Sequence, residues 1–229
     1  MIDGLRAITL DLDDTLWPIA PAIARAEAAL HAWFVDHAPA VAHRYDVRAL
    51  RELRDRVAHE HPQWSHDFTR IRHHSLQLAL RECGHDEALA DAAFDAFYRV
   101  RNELQLFEEV DEALRALSAR VPLLALSNGN ADLALAGVAQ HFVGMVSARG
   151  VGVGKPDRRI FDHACAVLGL SPAQVLHVGD DWMLDVCGAR AAGLHAAWLC
   201  RDPALRPPQH RPEVRVIRHL GELNALLPP

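Results

Sequence analysis

Six short apolar segments, separated by longer amphipathic stretches, restrict the fold of this 229-residue chain more than any other feature. They predict strands at residues 6–12, 122–127, 144–148, 175–179, 195–199 and 214–217. Their nearly continuous hydrophobicity indicates burial on both faces, as in a parallel sheet covered by helices on two sides. The stretches between them predict helices at residues 109–120, 132–140, 157–168 and 184–192. We therefore expect an α/β fold with a doubly wound, Rossmann-like parallel sheet.

Residues 18–102 interrupt this alternation. They show no strand pattern, and their apolar side chains recur at helical spacing through about four stretches. We predict an inserted α-helical cap domain at residues 18–102 and an α/β core made of residues 1–17 and 103–229. An insert after the first strand is expected above the carboxyl end of the sheet, where α/β proteins bind their ligands.

Three acidic residues, Asp11, Asp13 and Asp14, follow the first predicted strand directly. Side chains two residues apart at a strand end point to the same side, so Asp11 and Asp13 are expected to face one space. Such a group of like charges is unfavourable unless a cation or a reacting group lies among the carboxylates. A solvated acidic turn is the alternative, and this motif alone does not exclude it.

Lysine is almost absent from the chain, since the 24 basic residues comprise 23 arginines and Lys155. Lys155 follows a run of alternating glycine and valine at residues 150–154 and precedes Pro156. A lysine places a compact point charge on a thin, flexible stem, which the planar guanidinium of arginine does not reproduce. The one lysine therefore becomes a candidate site residue.

Four motifs occur in order at the ends of predicted strands or at the start of a predicted helix. They are Asp11-x-Asp13-x-Thr15, Ser127-Asn128-Gly129, Lys155-Pro156, and Gly179-Asp180-Asp181 followed by Asp185. Because parallel strands end on one edge of the sheet, we expect these motifs to meet there. Carboxylates, a hydroxyl, amides and one cation are the groups that phosphoryl transfer requires, and oxygen ligands suit Mg²⁺.

In this order the four motifs resemble those of the haloacid dehalogenase superfamily, specifically its phosphatases with a helical cap inserted after the first motif. The resemblance implies that Asp11 is the nucleophile that forms an aspartyl-phosphate, and that Asp13 is first the general acid and then the general base. It implies that Ser127 holds the transferring phosphoryl group and that Lys155 balances its charge.

The same resemblance implies a magnesium site and a phosphate-binding loop. The implied Mg²⁺ ligands are Asp11, Asp13 through its backbone carbonyl, and Asp180, with Asp181 and Asp185 supporting the metal shell. The implied substrate-binding residues of the core are Thr15, Asn128 and Gly129.

Residues 66–72, 127–131 and 176–181 are similar to bacterial phosphatases of the YigB type. That resemblance implies activity on flavin mononucleotide or on the phosphorylated ribitylaminouracil precursor of riboflavin. Within residues 66–72, Arg70 and Arg72 are candidates for contacting a substrate carbonyl or phosphate, with a solvated helix face as the alternative.

Composition excludes several other classes of function. The net charge of −6 and the pI near 6.2 argue against a protein that binds nucleic acid through bulk charge. No apolar run is long enough to predict a membrane span, no signal-peptide pattern is present, and the four cysteines form no C-x-x-C pair. We expect a cytoplasmic monomer or homodimer that acts on a small phosphorylated metabolite. A phosphomutase or other phosphotransferase, or a non-catalytic phospho-aspartate or metabolite sensor, stays open.

Overall fold

A computed structural model of the chain describes residues 2–208 and 213–227. Within these residues six parallel strands form one sheet with the order β3-β2-β1-β4-β5-β6. The strands are β1 Ala7–Leu10, β2 Leu123–Ser127, β3 Gly144–Ser147, β4 Val175–Gly179, β5 His195–Leu199 and β6 Arg215–Ile217. Each lies inside or on the bounds of a predicted strand, and the predicted doubly wound α/β fold is confirmed.

The helices lie between these strands, most of them before β2. They are α1 Ile19–His37, α2 Pro39–Arg44, α3 Val47–Glu60, α4 Phe68–Glu82, α5 Leu89–Arg101, α6 Val110–Ser118, α7 Ala148–Val151, α8 Arg158–Leu168 and α9 Gly188–Ala192. Short 3₁₀ turns occur at Pro62–Trp64, Ala139–His141, Pro172–Gln174 and Leu220–Ala225, and a π-helical turn at Trp182–Cys187 leads into α9. No helix of the described residues combines the length and the hydropathy that a membrane span needs.

The chain divides into two compact units. One contains the residues up to Pro18 together with those from Gln105 onward, and the other is Ile19–Leu104. The first unit, here called the core unit, carries the whole sheet, whereas the second, the helical unit, contains α1 to α5. That they act as a hydrolase core and its cap stays a prediction.

Strand β1 lies at the centre of the sheet and positions the first motif. Ile8 pairs with Leu123 of β2 on one side and with Leu176 of β4 on the other. The pairing continues one residue beyond the strand, because the Asp11 N–H donates to the Val178 carbonyl at 2.9 Å. All four side chains of β1 are buried, so the first polar side chain after the strand, Asp11, emerges at its carboxyl end.

The helical unit has a hydrophobic core of its own. Leu30 and Phe34 of α1 pack with Leu76 and Leu80 of α4 and with Phe97 of α5, and each of these side chains is almost fully buried. Aspartates begin two of its helices: Asp46 accepts from the Ala49 N–H at the start of α3, and Asp67 accepts from the Arg70 N–H at the start of α4.

The helix predicted at residues 132–140 is wrong. The Asp132 carboxylate accepts from the N–H groups of Ala134 and Leu135 at 2.8 and 3.1 Å, which closes a turn instead of continuing a helix. Gly137 then has a φ of +74°, which reverses the chain before the 3₁₀ turn.

Candidate active site

Three of the four motifs supply one cluster of charged side chains in the core unit, and the fourth contacts this cluster through Asn128. Carboxylate oxygens of Asp11, Asp180 and Asp185 lie within 4.8 Å of one another. The ammonium group of Lys155 lies 2.6 Å from an oxygen of Asp11 and 2.6 Å from an oxygen of Asp185. Residues from the ends of β1 and β4, from the loop before α8 and from the π-helical turn therefore meet in one place.

Lys155 links two of these carboxylates and is itself 2% exposed at the side chain. Burial lowers the pKa of Lys155, but the charges of Asp11 and Asp185 outweigh burial and hold the pKa above its ordinary value. The amino group of Lys155 is therefore protonated, and its two short contacts fix the positions of both carboxylates. The chain's lone lysine thus lies where a compact charge is required.

Asn128 holds the backbone of Lys155 through both ends of its side-chain amide. Its Nδ2 group donates to the Lys155 carbonyl at 2.9 Å, and its Oδ1 atom accepts from the Lys155 N–H at 2.7 Å. A Cβ atom on Gly154 would lie 2.8 Å from this Oδ1 atom, so glycine permits the close approach. Next to Asn128, the buried Ser127 hydroxyl accepts from the Gly129 N–H at 3.0 Å.

A buried hydrogen-bond chain runs from β1 through β4 to Asp185. His177 Nδ1 lies 2.8 Å from the Thr9 hydroxyl, and His177 Nε2 lies 3.0 Å from Asp185 Oδ1. Burial raises the pKa of Asp185, but Lys155 and the hydrogen bond from His177 overcome this and hold the pKa well below its usual range. Burial lowers the pKa of His177, so a neutral imidazole donates from Nε2 and accepts from Thr9.

Asp181 and Asp185, which the sequence did not distinguish, have different contacts. The Asp181 side chain accepts from the N–H groups of Met183 and Leu184 at 2.7 and 2.8 Å and so caps the π-helical turn. Asp185 is 1% exposed and faces Lys155, and its second oxygen accepts from the Asp181 N–H at 3.0 Å. Asp185 therefore belongs to the charged cluster, whereas Asp181 shapes the turn that carries Asp185 there.

In the loop after β1, Asp13 and Thr15 have different hydrogen-bond partners. The Asp13 carboxylate accepts from the indole N–H of Trp17 at 2.8 Å. The Thr15 hydroxyl donates to Asp180 Oδ1 at 3.0 Å, so this fully buried side chain contacts the acidic cluster. Asp14 has a φ of +59° and its N–H donates to the Trp17 carbonyl at 2.8 Å, which closes the loop into a tight turn.

The carboxylate cluster fits a hard divalent cation. Burial raises the pKa of Asp11 well above its usual range, and Asp185 and Asp180 add to the effect although Lys155 opposes it. Burial and the charge of Asp185 likewise raise the pKa of Asp180 to about 6. Three carboxylates around one ammonium leave an excess of negative charge, which a cation with oxygen ligands would neutralise. These residues could therefore hold a metal ion.

The two arginines predicted to contact substrate lie on α4 of the helical unit and have different environments. The Arg70 guanidinium lies over the ring of Trp64, 4.1 Å from its centre. The Arg72 guanidinium lies over the ring of Phe97 at 3.7 Å, and Arg72 is buried. Their role in binding a substrate stays a prediction.

Three supporting contacts in the core unit, made by Trp17, Trp198 and Arg201, were not predicted from the sequence. Besides Trp17, the indole of Trp198 donates to the Asp180 carbonyl at 2.7 Å, and Arg201 donates to the Thr15 carbonyl at 2.8 Å. For Trp17 the four-residue spacing from Asp13 was an available signal. Trp198 and Arg201 come from β5 and the loop after it, and no local pattern connects them with the motifs.

Comparisons with known proteins agree with the motif resemblance. A profile of the haloacid dehalogenase-like hydrolases matches residues 5–193. The chain is 32% identical to the 5-amino-6-(5-phospho-D-ribitylamino)uracil phosphatase YigB of Escherichia coli (strain K12), over 85% of this chain and 83% of that protein. It is also 32% identical to a phosphoserine phosphatase of Thermus thermophilus, over 93% and 95% of the two chains. The crystal structure of a 2-haloacid dehalogenase from Pseudomonas syringae pv. Tomato DC3000 matches at a TM-score of 0.90 and 34% identity, covering 97% of each chain.

Proposed function

The chain belongs to the haloacid dehalogenase-like hydrolases, and we propose that it hydrolyses small phosphate monoesters through a phosphoryl group carried on Asp11. The observation that carries this proposal is the excess of carboxylates around Lys155. A divalent cation in that cluster would attract a phosphate dianion. Displacement of a halide from a 2-haloacid needs neither such a cation nor an acid for the leaving group, because halide departs as an anion.

The proposed reaction uses Asp11 and Asp13 in turn. The Asp11 carboxylate attacks phosphorus while the ester oxygen leaves with a proton from Asp13, which gives the alcohol and an acyl phosphate. Asp13 then takes a proton from water, the water oxygen attacks phosphorus, and the P–O bond to Asp11 breaks. Phosphate leaves, and both aspartates return to their starting forms. The hydrogen bond from Trp17 holds the Asp13 carboxylate in a fixed position for both proton transfers.

The other residues of the motifs stabilise charge during transfer. Ser127 and the backbone N–H of Asn128 donate to the phosphoryl oxygens, and the loop at Gly129 completes the binding site. Lys155 keeps Asp11 oriented and balances the negative charge that gathers there.

We assign a magnesium ion to this site as the proposed cofactor. The carboxylates of Asp11 and Asp180 and the backbone carbonyl of Asp13 would hold it, and Asp185, which contacts Lys155, would support them. When bound, the ion neutralises the phosphoryl oxygens and makes phosphorus more electrophilic.

The proposed substrate is a small phosphorylated metabolite. The similarity to YigB supports flavin mononucleotide or the phosphorylated ribitylaminouracil precursor of riboflavin, and the similarity to a phosphoserine phosphatase supports an amino-acid phosphate. We assign residues 18–102 as the cap, with Arg70 and Arg72 as its candidate contacts to substrate.

The decisive experiment measures phosphate and halide release by the purified protein with Mg²⁺. The panel contains flavin mononucleotide, the ribitylaminouracil phosphate, phosphoserine, sugar phosphates and 2-chloropropionate, and Asp11→Asn is the blank. We expect phosphate release that requires Asp11. Halide release without phosphate release would replace the proposal by a dehalogenase, and a rearranged phosphate ester would replace it by a phosphomutase.

A second experiment tests the acid–base role of Asp13 by rapid quench with a labelled substrate. With p-nitrophenyl phosphate, whose leaving group needs no proton from Asp13, we expect Asp13→Asn to accumulate the acyl phosphate, because no group is left to deprotonate water, whereas wild type turns it over. A wild-type acyl phosphate that persists over many minutes would instead identify a phospho-aspartate sensor. Equal turnover in Asp13→Asn and wild type would refute the assigned role.

A further inference from the structure

Arg72 occupies the buried face of α4, and no residue of opposite charge in the described part of the chain pairs with it. It shares this face with Ser75, Leu76 and Ala79, which follow it at helical spacing, and it is 9% exposed. Within residues 2–208 and 213–227, its guanidinium forms no hydrogen bond or ion pair, and its close contact is the ring of Phe97. A guanidinium carries five N–H donors, and a ring face satisfies none of them as an acceptor would.

The carboxylates near Arg72 are engaged by two other arginines. Glu27, which is 4% exposed, accepts from Arg51 Nε at 3.2 Å and lies 3.8 Å from Arg54 Nη1. Asp55 lies 2.5 Å from Arg54 Nη2. Arg51 and Arg54 therefore occupy both carboxylates, and Arg72, the most buried of the three arginines, pairs with neither.

Burial and the charge of Arg54 lower the pKa of Arg72 to about 9. The direction agrees with the geometry, because a guanidinium that is removed from water next to another cation is held in an unfavourable environment. Buried charges in proteins are normally paired, so Arg72 calls for a physical explanation. An anion would supply the missing opposite charge and a charged acceptor for guanidinium nitrogens that keep slight contact with solvent.

We propose that Arg72, fixed on the ring of Phe97 and flanked by Arg54, forms a binding site for a small anionic group within the helical unit. Stacking on the ring holds the plane of the guanidinium and leaves its edge for two parallel hydrogen bonds. Carboxylate and phosphate both match that fork. The anion is either a free ion or a second anionic group of the substrate, and the latter source rests on the proposed function.

Thermal unfolding with inorganic phosphate tests the site without any activity measurement. EDTA removes divalent cations, so that the carboxylates of the core unit are not neutralised and repel an anion. The ionic strength is held constant while the phosphate concentration is varied. We expect phosphate to raise the Tm of wild type and of Arg81→Gln, whose arginine lies on the same helix and pairs with Glu87. In Arg72→Gln the apparent phosphate affinity falls by about ten-fold or more, as for a lost charged hydrogen bond.

Two results would overturn the proposal: no phosphate response in wild type, or an equal response in wild type and Arg72→Gln. If Arg72→Gln does not fold, Arg72→Lys replaces it, since lysine keeps the charge but loses the fork. A several-fold weaker response is then expected, and an unchanged response would also contradict the site.

Steady-state kinetics distinguish the two sources of the anion. If the substrate supplies it, Arg72→Gln raises KM for phosphoserine about ten-fold while KM for p-nitrophenyl phosphate stays nearly unchanged. If the source is a free ion, both KM values stay unchanged while the phosphate response is lost. An inactive wild-type protein would refute the proposed function and leave the binding experiment valid.

Discussion

At the residue scale, Trp17 is the side chain that holds Asp13, the proposed acid and base, in the loop after β1. It is fully buried, and its indole N–H reaches Asp13 across a turn in which Asp14 has a positive φ. The hydrogen bond holds the Asp13 carboxylate against the indole N–H of Trp17. Trp17 therefore combines packing in the core with a hydrogen bond to the proposed general acid.

We predict that Trp17→Phe lowers kcat by about ten-fold while KM changes less than about two-fold, since Asp13 loses one positioning hydrogen bond. Phenylalanine preserves most of the aromatic packing, so the protein is expected to remain folded by circular dichroism. Trp33→Phe, which removes an indole from the helical unit, is the matched control and is expected to retain activity. A wild-type kcat in folded Trp17→Phe would show that the hydrogen bond does not position the acid.

Lys155 allows a second prediction at the same scale. Its ammonium lies 2.6 Å from two carboxylates, in surroundings that leave 2% of the side chain exposed. A guanidinium is wider and planar, so Lys155→Arg is expected to lower kcat/KM by about 100-fold or more and to reduce the Tm. Activity assays and thermal unfolding measure the two effects. Near-normal values for both would mean that any cation serves at this position.

At the element scale, the end of β4 must approach the π-helical turn closely. A Cβ atom built on Gly179 would lie 2.2 Å from the carboxyl carbon of Asp185. Because Asp185 is held by Lys155 and His177, it has no room to move away. Gly179 is therefore required for Asp185 to occupy its position beside Lys155.

We predict that Gly179→Ala displaces Asp185, destabilises the protein by about 1–3 kcal/mol and abolishes most activity. Denaturant unfolding and kinetics provide the measurements. Gly144→Ala is the control, because Gly144 also lies in a strand and its added Cβ would meet Leu124 at an ordinary 3.6 Å. Equal stability of the two variants would argue against the tight packing of Asp185.

The sheet could be predicted from the sequence more completely than its connections. Strands buried on both faces carry a continuous apolar signal, and all six predicted strands of the described residues are present. The helix predicted at residues 132–140 is absent because the spacing of apolar residues carries no information about the Asp132 side chain. That side chain accepts a hydrogen bond from the backbone and closes a turn. The helix predicted at residues 184–192 is split, since the π-helical turn at Trp182–Cys187 precedes the short α9.

For the site, the sequence predicted which strand ends meet but not which acidic side chains face one another. The distinction between Asp181 and Asp185 depends on the width of the π-helical turn, which carries Asp185 back toward Lys155. Wide turns of this kind are common at functional sites and have no simple sequence pattern. Contacts such as Trp198 with Asp180 join distant segments and follow only from the sheet order.

At the scale of the whole molecule, each compact unit contains one local cluster of uncompensated charge, and the two clusters have opposite signs. In the core unit Asp11, Asp180 and Asp185 surround one ammonium. In the helical unit Arg51 and Arg54 pair with Glu27 and Asp55, and among the described residues no carboxylate pairs with Arg72. Each unit therefore holds an uncompensated charge that a ligand of opposite sign would neutralise. Ligands that bind a folded unit stabilise it by mass action, so thermal unfolding reports on the two sites separately.

The final prediction concerns removal and return of the metal. We expect EDTA-treated protein to gain thermal stability when Mg²⁺ is added at constant ionic strength, by about 2.7 kcal/mol at about 100 times the dissociation constant. Asp180→Asn removes a proposed ligand and is expected to lose the response, whereas Asp162→Asn, an exposed change on α8, keeps it. If the two units unfold in separate transitions, Mg²⁺ should raise the transition of the core unit and phosphate that of the helical unit. A Mg²⁺ response that persists in Asp180→Asn would place the ion elsewhere, because the carboxylate cluster would then have lost a ligand without losing its cation.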